Sequence, residues 1–362
     1  MPELLVAGAL GVVGRAVLRE FEGRRDWALT GLSRRQPDFA SRASFLSLDL
    51  RDAAACEAAS PRLSQVTHLV YCANSEPEHL LSGWLQRDHI DVNIAMLRNL
   101  LEPLRRHAPG LRHVILLQGT KAYGAAAGTF KIPAKEDDPR SLAPNFYYGQ
   151  EDYLRAAQDC SAWSWTILRP QFVCGFSVGS PMNGLNGLAV YAAMSRELGV
   201  PLRFPGGAGR ILEVTDSRLL AQAAAWAMDT PGCANEIFNI VNGDCLTWES
   251  LWPKVARLFG IDWAPPAPAR LSRIMADKAG LWQRMVEHHG LRPYTLAELV
   301  PDWGMTDYIL GYKTPEQPML LSGLKARRFG FQACMDSEDM FLEWLQFLQD
   351  DRIVPSRNGA AQ

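Results

Sequence analysis

Three glycines at G-x-x-G-x-x-G spacing, Gly8, Gly11 and Gly14, follow the apolar run Leu4-Leu5-Val6-Ala7 and precede a helix-like segment. Such a segment can hold a pyrophosphate against a helix N-terminus. In that reading Gly8 makes the turn, Gly11 lets backbone approach the phosphates, and Gly14 lets helix and strand pack closely. An ordinary strand–helix turn carries glycines too, so the spacing alone leaves both readings open. A second group, Ser33-Arg34-Arg35, follows the next strand-like run. NAD sites place a carboxylate there for the ribose 2′-hydroxyl, whereas two guanidinium groups and a hydroxyl suit the 2′-phosphate of NADP. Two solvated loop arginines are the alternative.

The third group is Lys121 with the pair Tyr147-Tyr148. Hydride transfer to or from a polar double bond needs a proton donor or an oxyanion stabiliser at the substrate oxygen. A common arrangement is a tyrosine with a lysine four residues later on the same helix face. Here that spacing leads from Tyr147 to Glu151 and from Tyr148 to Asp152. A carboxylate in that place raises a phenol's pKa instead of lowering it. Lys121 is the available replacement: it follows a strand, Tyr147 opens the next helix, and both can converge on one bound oxygen. A surface lysine beside packed aromatics fits the same residues.

The elements that must position these groups alternate. Strands are expected at Leu4–Ala7, Trp27–Ser33, Phe45–Leu50, His68–Asn74, His113–Gln118 and Trp165–Leu168, with helices over Val12–Glu22, Asp88–His107 and from Asn145 to about Cys160. The fold class is therefore α/β, a Rossmann-type doubly wound parallel sheet whose ligands sit beyond the carboxyl ends of the strands. Asp49 lies at one such end, where adenine would bind, and Ala73 ends another with a small side chain that lets cofactor pass close. Residues 1–176 form the NADP-binding domain, with a returning strand near 236–241. Residues 177–355 form a smaller, mostly helical substrate-binding lid, and 356–362 a disordered tail. In the lid, Thr247 is placed to cap a helix carrying Trp248, Leu251, Trp252, Val255 and Leu258 on one face.

Composition bounds the rest. The 362 residues are 48% hydrophobic and 21% charged, as in a soluble globular protein. A net charge of −2 gives no general attraction to nucleic acid or an anionic membrane. Seven scattered cysteines without a C-x-x-C pair point to reduced thiols in the cytoplasm, and no metal site is expected. No early apolar run is long enough for a signal peptide or a membrane span. A homodimer stays open, because oligomeric state is not legible here.

Five segments together carry a resemblance: Gly8–Gly14, Gly31-Leu32-Ser33-Arg34-Arg35, Gln118-Gly119-Thr120-Lys121, Asn145-Phe146-Tyr147-Tyr148-x-x-Glu151-Asp152, and Arg169-Pro170-x-x-Val173-x-Gly175-Phe176-Ser177. The chain resembles the progesterone 5β-reductase/iridoid synthase family, atypical extended short-chain dehydrogenase/reductases. The likeness continues through Asn239-x-x-Asn242-Gly243-Asp244 and Tyr308-Ile309-Leu310-Gly311. It implies NADPH-dependent reduction of a carbon–carbon double bond conjugated to a carbonyl, in a small enone or enal. Hydride would go to the β-carbon, and the enolate oxygen would be held by Tyr147 with help from Lys121. The implied cofactor contacts are Leu10, Gly11, Val12, Arg34, Arg35, Asp49, Leu50, Gln118, Tyr147, Val173, Ser180, Pro181 and Met182. The loop from Lys121 to Tyr147 is shorter than in plant members, which leaves the substrate open. A carbonyl reductase, a nucleotide-sugar epimerase and a non-catalytic NADP-sensing protein are the other readings.

Overall fold

A computed structural model describes residues 1–357 apart from 78–79, 129, 160, 208 and 313–317. The expected tail therefore lies, from 358 onward, outside the described residues. The chain divides into two compact units: Met1–Phe172 with Ser217–Val241 and Leu320–Ala333, and Val173–Asp216 with Asn242–Met319 and the chain from Cys334 on.

The first unit is built on a parallel sheet, seven-stranded among the described residues. Its strands are β1 (Glu3–Ala7), β2 (Ala28–Ser33), β3 (Ser44–Ser47), β4 (His68–Tyr71), β5 (His113–Leu117), β6 (Ser164–Pro170) and β7 (Glu236–Ile240). Their order is β7-β6-β5-β4-β1-β2-β3, so the chain reverses direction of travel between β1 and β4. A crevice at such a reversal is where ligands bind in sheets of this kind. The principal helices are α1 (Val12–Glu22), α2 (Ala53–Ala59), α3 (Arg87–His107), α4 (Phe146–Gln158) and α5 (Ser217–Asp229).

Strand alternation decides the layers. Leu5 and Ala7 join Leu69, Tyr71, Val114, Leu116, Trp165 and Ile167 in one cluster with Leu97, Leu100 and Leu104 of α3 and Leu154 of α4. Leu4 and Val6, equally buried, point to the other face, where α1 and α5 pack together. Helices thus cover both faces, and the sheet reads as continuous apolar runs for that reason.

Two strands stop earlier than the sequence suggests. The third ends at Ser47, not Leu50, because its partner β2 ends at Ser33, opposite it. The fourth ends at Tyr71, not Asn74, because its register partner in β1 is Ala7 and the next residue, Gly8, turns away. Chain diverges from the sheet at both places.

The second unit is mainly helical, including Gly184–Glu197, Trp248–Phe259, Ala279–His288 and Ser337–Asp350. Thr247 stands at the N-cap of Trp248–Phe259 as expected, but its side chain makes no capping bond. Asn242 and Asp244 are structural here. The Asn242 carboxamide accepts from the Asp216 amide (2.7 Å) and donates to the Ser337 hydroxyl (3.1 Å), while Asp244 accepts from the Ser337 amide (3.0 Å). No helix among the described residues is long and apolar enough to cross a membrane.

Candidate active site

The turn after β1 is fixed by backbone. The amides of Gly8 and Ala9 both donate to the Leu32 carbonyl, at 3.0 and 3.1 Å, which ties the turn to the end of β2. Gly8 has φ +85°, and a Cβ there would lie 2.8 Å from the Ala73 nitrogen, so only glycine fits. At Gly14 a Cβ would fall 2.2 Å from the Gly8 carbonyl oxygen, inside any contact distance, so helix and turn touch through bare backbone. Gly11 differs. It is the N-cap of α1, extended at φ −76° and ψ 171°, without a side-chain cap, and its Cβ would meet only the Gly8 oxygen at 3.3 Å. The first amides of α1 are therefore left for an anion. This cradle fits a dinucleotide pyrophosphate.

Val12 is the first residue of α1, and Leu10 is buried in the turn before it. Ser33 ends β2, with Arg34 and Arg35 exposed just beyond. Asp49 lies two residues past β3 and pairs with Arg51 at 2.6 Å. The hydrogen bond from Arg51 holds the Asp49 carboxyl down to about 2, and Arg34 adds to the effect. Asp49 is thus ionised and held by Arg51. Nothing in the residue pattern singles out Arg51. Leu50 is buried, its carbonyl accepting from the Asn99 carboxamide (2.8 Å). Val173 lies in the short strand Phe172–Cys174, and Ser180, Pro181 and Met182 precede the helix Gly184–Glu197; these four belong to the second unit.

Beyond β5, a short 3₁₀ turn, Thr120–Tyr123, presents Lys121. Asn145 fastens this turn to α4: its carboxamide oxygen accepts from the Tyr147 amide (2.9 Å) and its nitrogen donates to the Lys121 carbonyl (3.0 Å). One capping residue thereby sets Lys121 against Tyr147. Gln118 does the same from β5, donating to the Tyr147 carbonyl (3.1 Å). Its oxygen accepts from Arg169 Nε (2.8 Å), whose Nη2 pairs with Glu151 at 3.0 Å. Both charges of that pair are buried. This answers the puzzle of a carboxylate four residues after the tyrosine: Glu151 faces the sheet and Arg169, not the phenol. Removing it strands a buried guanidinium, so Glu151→Ala should lower unfolding stability by about 3–5 kcal/mol in a urea titration. A loss below about 1 kcal/mol would mean the pair does not hold α4 to β6.

The structure brings Lys121 and Tyr147 together, but ring to ammonium. Lys121 Nζ lies 5.4 Å from the centre of the Tyr147 ring, 5.1 Å from Phe146 and 4.5 Å from Trp84. Lys121 is only 6% exposed, and its ammonium has no hydrogen-bond partner among the described residues. Burial lowers its pKa from the ordinary lysine value, with the Glu76 carboxylate acting in the opposite sense. Burial raises the Tyr147 phenol, and Glu76 raises it further. Tyr148 is spent elsewhere: its hydroxyl donates to the Ala122 carbonyl and accepts from the Ser141 amide, both at 2.9 Å. Trp84 and Glu76 were not foreseen in the sequence.

Residues 53–305 match the PRISE-like Rossmann-fold domain. The chain belongs to that family. Relatives of this PRISE-like chain include plant enzymes. It is 31% identical over 371 residues to an (S)-8-oxocitronellyl enol synthase of Nepeta racemosa, covering 97% of this chain and 92% of the relative. It is 32% identical to a 3-oxo-Delta(4,5)-steroid 5-beta-reductase of Arabidopsis thaliana over 371 residues, covering 97% and 92%. Among solved structures, a UDP-glucose 4-epimerase of Thermus thermophilus in complex with NAD aligns with a TM-score of 0.66 at 18% identity, covering 96% of this PRISE-like chain and 99% of the epimerase. That likeness is one of fold, and it agrees with the seven-stranded sheet.

Proposed function

We propose that the protein is an NADPH-dependent reductase of carbon–carbon double bonds conjugated to a carbonyl, acting on small enones or enals. What supports this most is the placing of Tyr147 beside Lys121 on one wall beyond β5, the Lys121 ammonium having no hydrogen-bond partner among the described residues. Its named relatives, an enol synthase and a steroid 5-beta-reductase, point the same way.

The chemistry follows from where charge appears. NADPH, when bound, would supply a hydride for the β-carbon. The electron pair of the double bond would then move toward the carbonyl, whose oxygen becomes an enolate oxyanion, and a proton from solvent water at the α-carbon would complete the saturated carbonyl. Tyr147, with its raised pKa, stays protonated through the neutral and mildly alkaline range and can donate a hydrogen bond throughout. Lys121, when protonated, adds positive charge in a buried setting where water does not screen it. A phenol acting as a proton donor to an alkoxide would be served by a lowered pKa, and burial moves Tyr147 the other way.

In this reading the pyrophosphate rests on Gly8, Leu10, Gly11, Val12 and the start of α1, the 2′-phosphate meets Ser33, Arg34 and Arg35, and Asp49, Leu50 and Ala73 flank the adenine side. Gln118, Val173, Ser180, Pro181 and Met182 complete the contacts that the family resemblance implies. The six described cysteines are all unpaired, which suits a reducing compartment, and we place the protein in the cytoplasm. Gly11→Val tests the cradle. The extended backbone there admits a side chain at the cost of a shift of a few tenths of an ångström against the Gly8 oxygen, so the fold should persist, checked by circular dichroism, yet the side chain would crowd the phosphates. NADPH affinity should fall at least ~10-fold by titration, for loss of one or more charge-assisted hydrogen bonds; unchanged affinity would put the phosphates elsewhere.

The function itself is tested by following NADPH oxidation with a panel of enones, enals and saturated ketones, and identifying products. Saturated carbonyl products from the enones are expected. Allylic alcohols would favour carbonyl reduction, and no consumption with any substrate would favour a sensing role.

A further inference from the structure

The segment between β4 and α3 reaches Lys121 in a way the proposed chemistry has not used. Trp84 is buried and lays its ring 4.5 Å from Lys121 Nζ. Its indole N–H donates to Glu76 Oε2 at 3.3 Å, and the other Glu76 oxygen accepts from the Asn74 carboxamide at 2.5 Å. The neighbouring Ser75 is clamped by Asn93 of α3, which accepts from the Ser75 amide (2.8 Å) and donates to its carbonyl (2.9 Å). Carboxylate, indole and ammonium are thus held in series, with the anchor points on the chain just beyond β4 and on α3.

An ammonium buried without an oxygen acceptor is costly unless something else stabilises its charge. Among the described residues three ring faces stand within about 6 Å of it, the range at which the negative face of an aromatic ring attracts a cation. Ring faces stabilise charge without consuming directional N–H donors. An oxygen acceptor in the same place would have to be displaced when a substrate oxygen arrives.

We propose that Trp84, pinned by Glu76, is a positioning residue for Lys121: it holds the ammonium by ring faces, so that its N–H donors stay free for the substrate's developing oxyanion. The consequence for turnover rests on the enone-reductase reading; the consequence for Lys121 itself does not. Among the described residues the titratable groups around the lysine are Glu76 on the segment after β4, His89 on α3 and Tyr147 on α4. Burial keeps His89 below its ordinary pKa and Tyr147 above its own, so neither changes charge between pH 7 and the lysine's titration.

The test measures Lys121 titration in the full chain, by competitive labelling with acetic anhydride across pH and peptide mass spectrometry, alongside kcat and KM. Three variants have predicted signs. Trp84→Leu keeps the site dry but removes a ring face, so Lys121 should titrate at lower pH than in the unmodified protein. Glu76→Gln removes a stabilising negative charge, with the same sign. Trp84→Ala admits water, so Lys121 should titrate at higher pH. Turnover in Trp84→Leu should fall roughly 2–30-fold, the size of one cation–π contact, with KM nearly unchanged. If Trp84→Ala does not fold, the Leu and Gln variants decide between them. Unaltered Lys121 titration in the folded variants overturns the proposal, as does an upward shift in Trp84→Leu, which would make the indole a water plug only. If the titrations move as predicted while the unmodified protein reduces no enone, the lysine box stands and the reductase reading falls.

Discussion

Tyr147→Phe is expected to lower enone turnover roughly 10²–10³-fold, the cost of losing one preorganised oxyanion donor. The substitution keeps the ring that packs on Phe146 and Lys121, so the loss belongs to the hydroxyl alone. The effect should appear in kcat, because the hydrogen bond strengthens as negative charge reaches the oxygen. Strongly electron-poor enones should suffer less, since they stabilise their own enolate. Tyr148→Phe is the control. It removes two hydrogen bonds to the loop before α4 and should cost on the order of 1 kcal/mol of stability with little change in kcat. If Tyr148→Phe cripples the enzyme and Tyr147→Phe does not, the wrong tyrosine carries the chemistry in this account.

Lysine separates from tyrosine by pH. Below its pKa Lys121 is charged and donates, so activity should fall as pH rises through that pKa, which lies below the ordinary lysine value. The raised phenol contributes no limb there. Lys121→Met should lower activity less than Tyr147→Phe and remove the alkaline limb. The sign for stability is opposite. Burial depresses the lysine pKa, so the charged form costs the folded state most below that pKa, and Lys121→Met should stabilise the protein at neutral pH. A retained alkaline limb in Lys121→Met would assign it to another group.

The second large effect concerns the cofactor. Replacing both Arg34 and Arg35 by Ala should remove charge-assisted hydrogen bonds to the 2′-phosphate, on the order of 1.5–3 kcal/mol each. NADPH affinity should collapse while NADH affinity barely moves, because NADH has no phosphate there. Both side chains are exposed, so the NADPH preference should also weaken with added salt. Equal affinity of the unmodified protein for NADPH and NADH would end this reading.

Much of the scaffold is legible from residue patterns. The run Leu4–Ala7 followed by three glycines announces strand, turn and helix, and α1 begins and ends where the periodicity says. The ends of β3 and β4 are not legible, because apolar residues continue past the point where their partners turn away; partner length is a tertiary fact. Glu151 and Arg169 illustrate a signal that was available. Two opposite charges in segments otherwise destined for burial require one another, and the structure pairs them at 3.0 Å. Trp84 and Glu76 carry no such signal. They sit in a segment without periodicity, and Trp84 meets Lys121 from a distant part of the sequence that only the sheet order brings close. The tyrosine–lysine pair stands between these cases. Its residues could be nominated from their places after β5 and at the start of α4, but the ring-to-ammonium geometry could not.

The most direct measurement of the central claim is the fate of a labelled hydride. NADPH carrying deuterium at the transferred position is incubated with a simple enone, and the product is analysed by NMR and mass spectrometry. Deuterium on the β-carbon of a saturated ketone is the predicted result. Deuterium on the former carbonyl carbon, in an allylic alcohol, would contradict it.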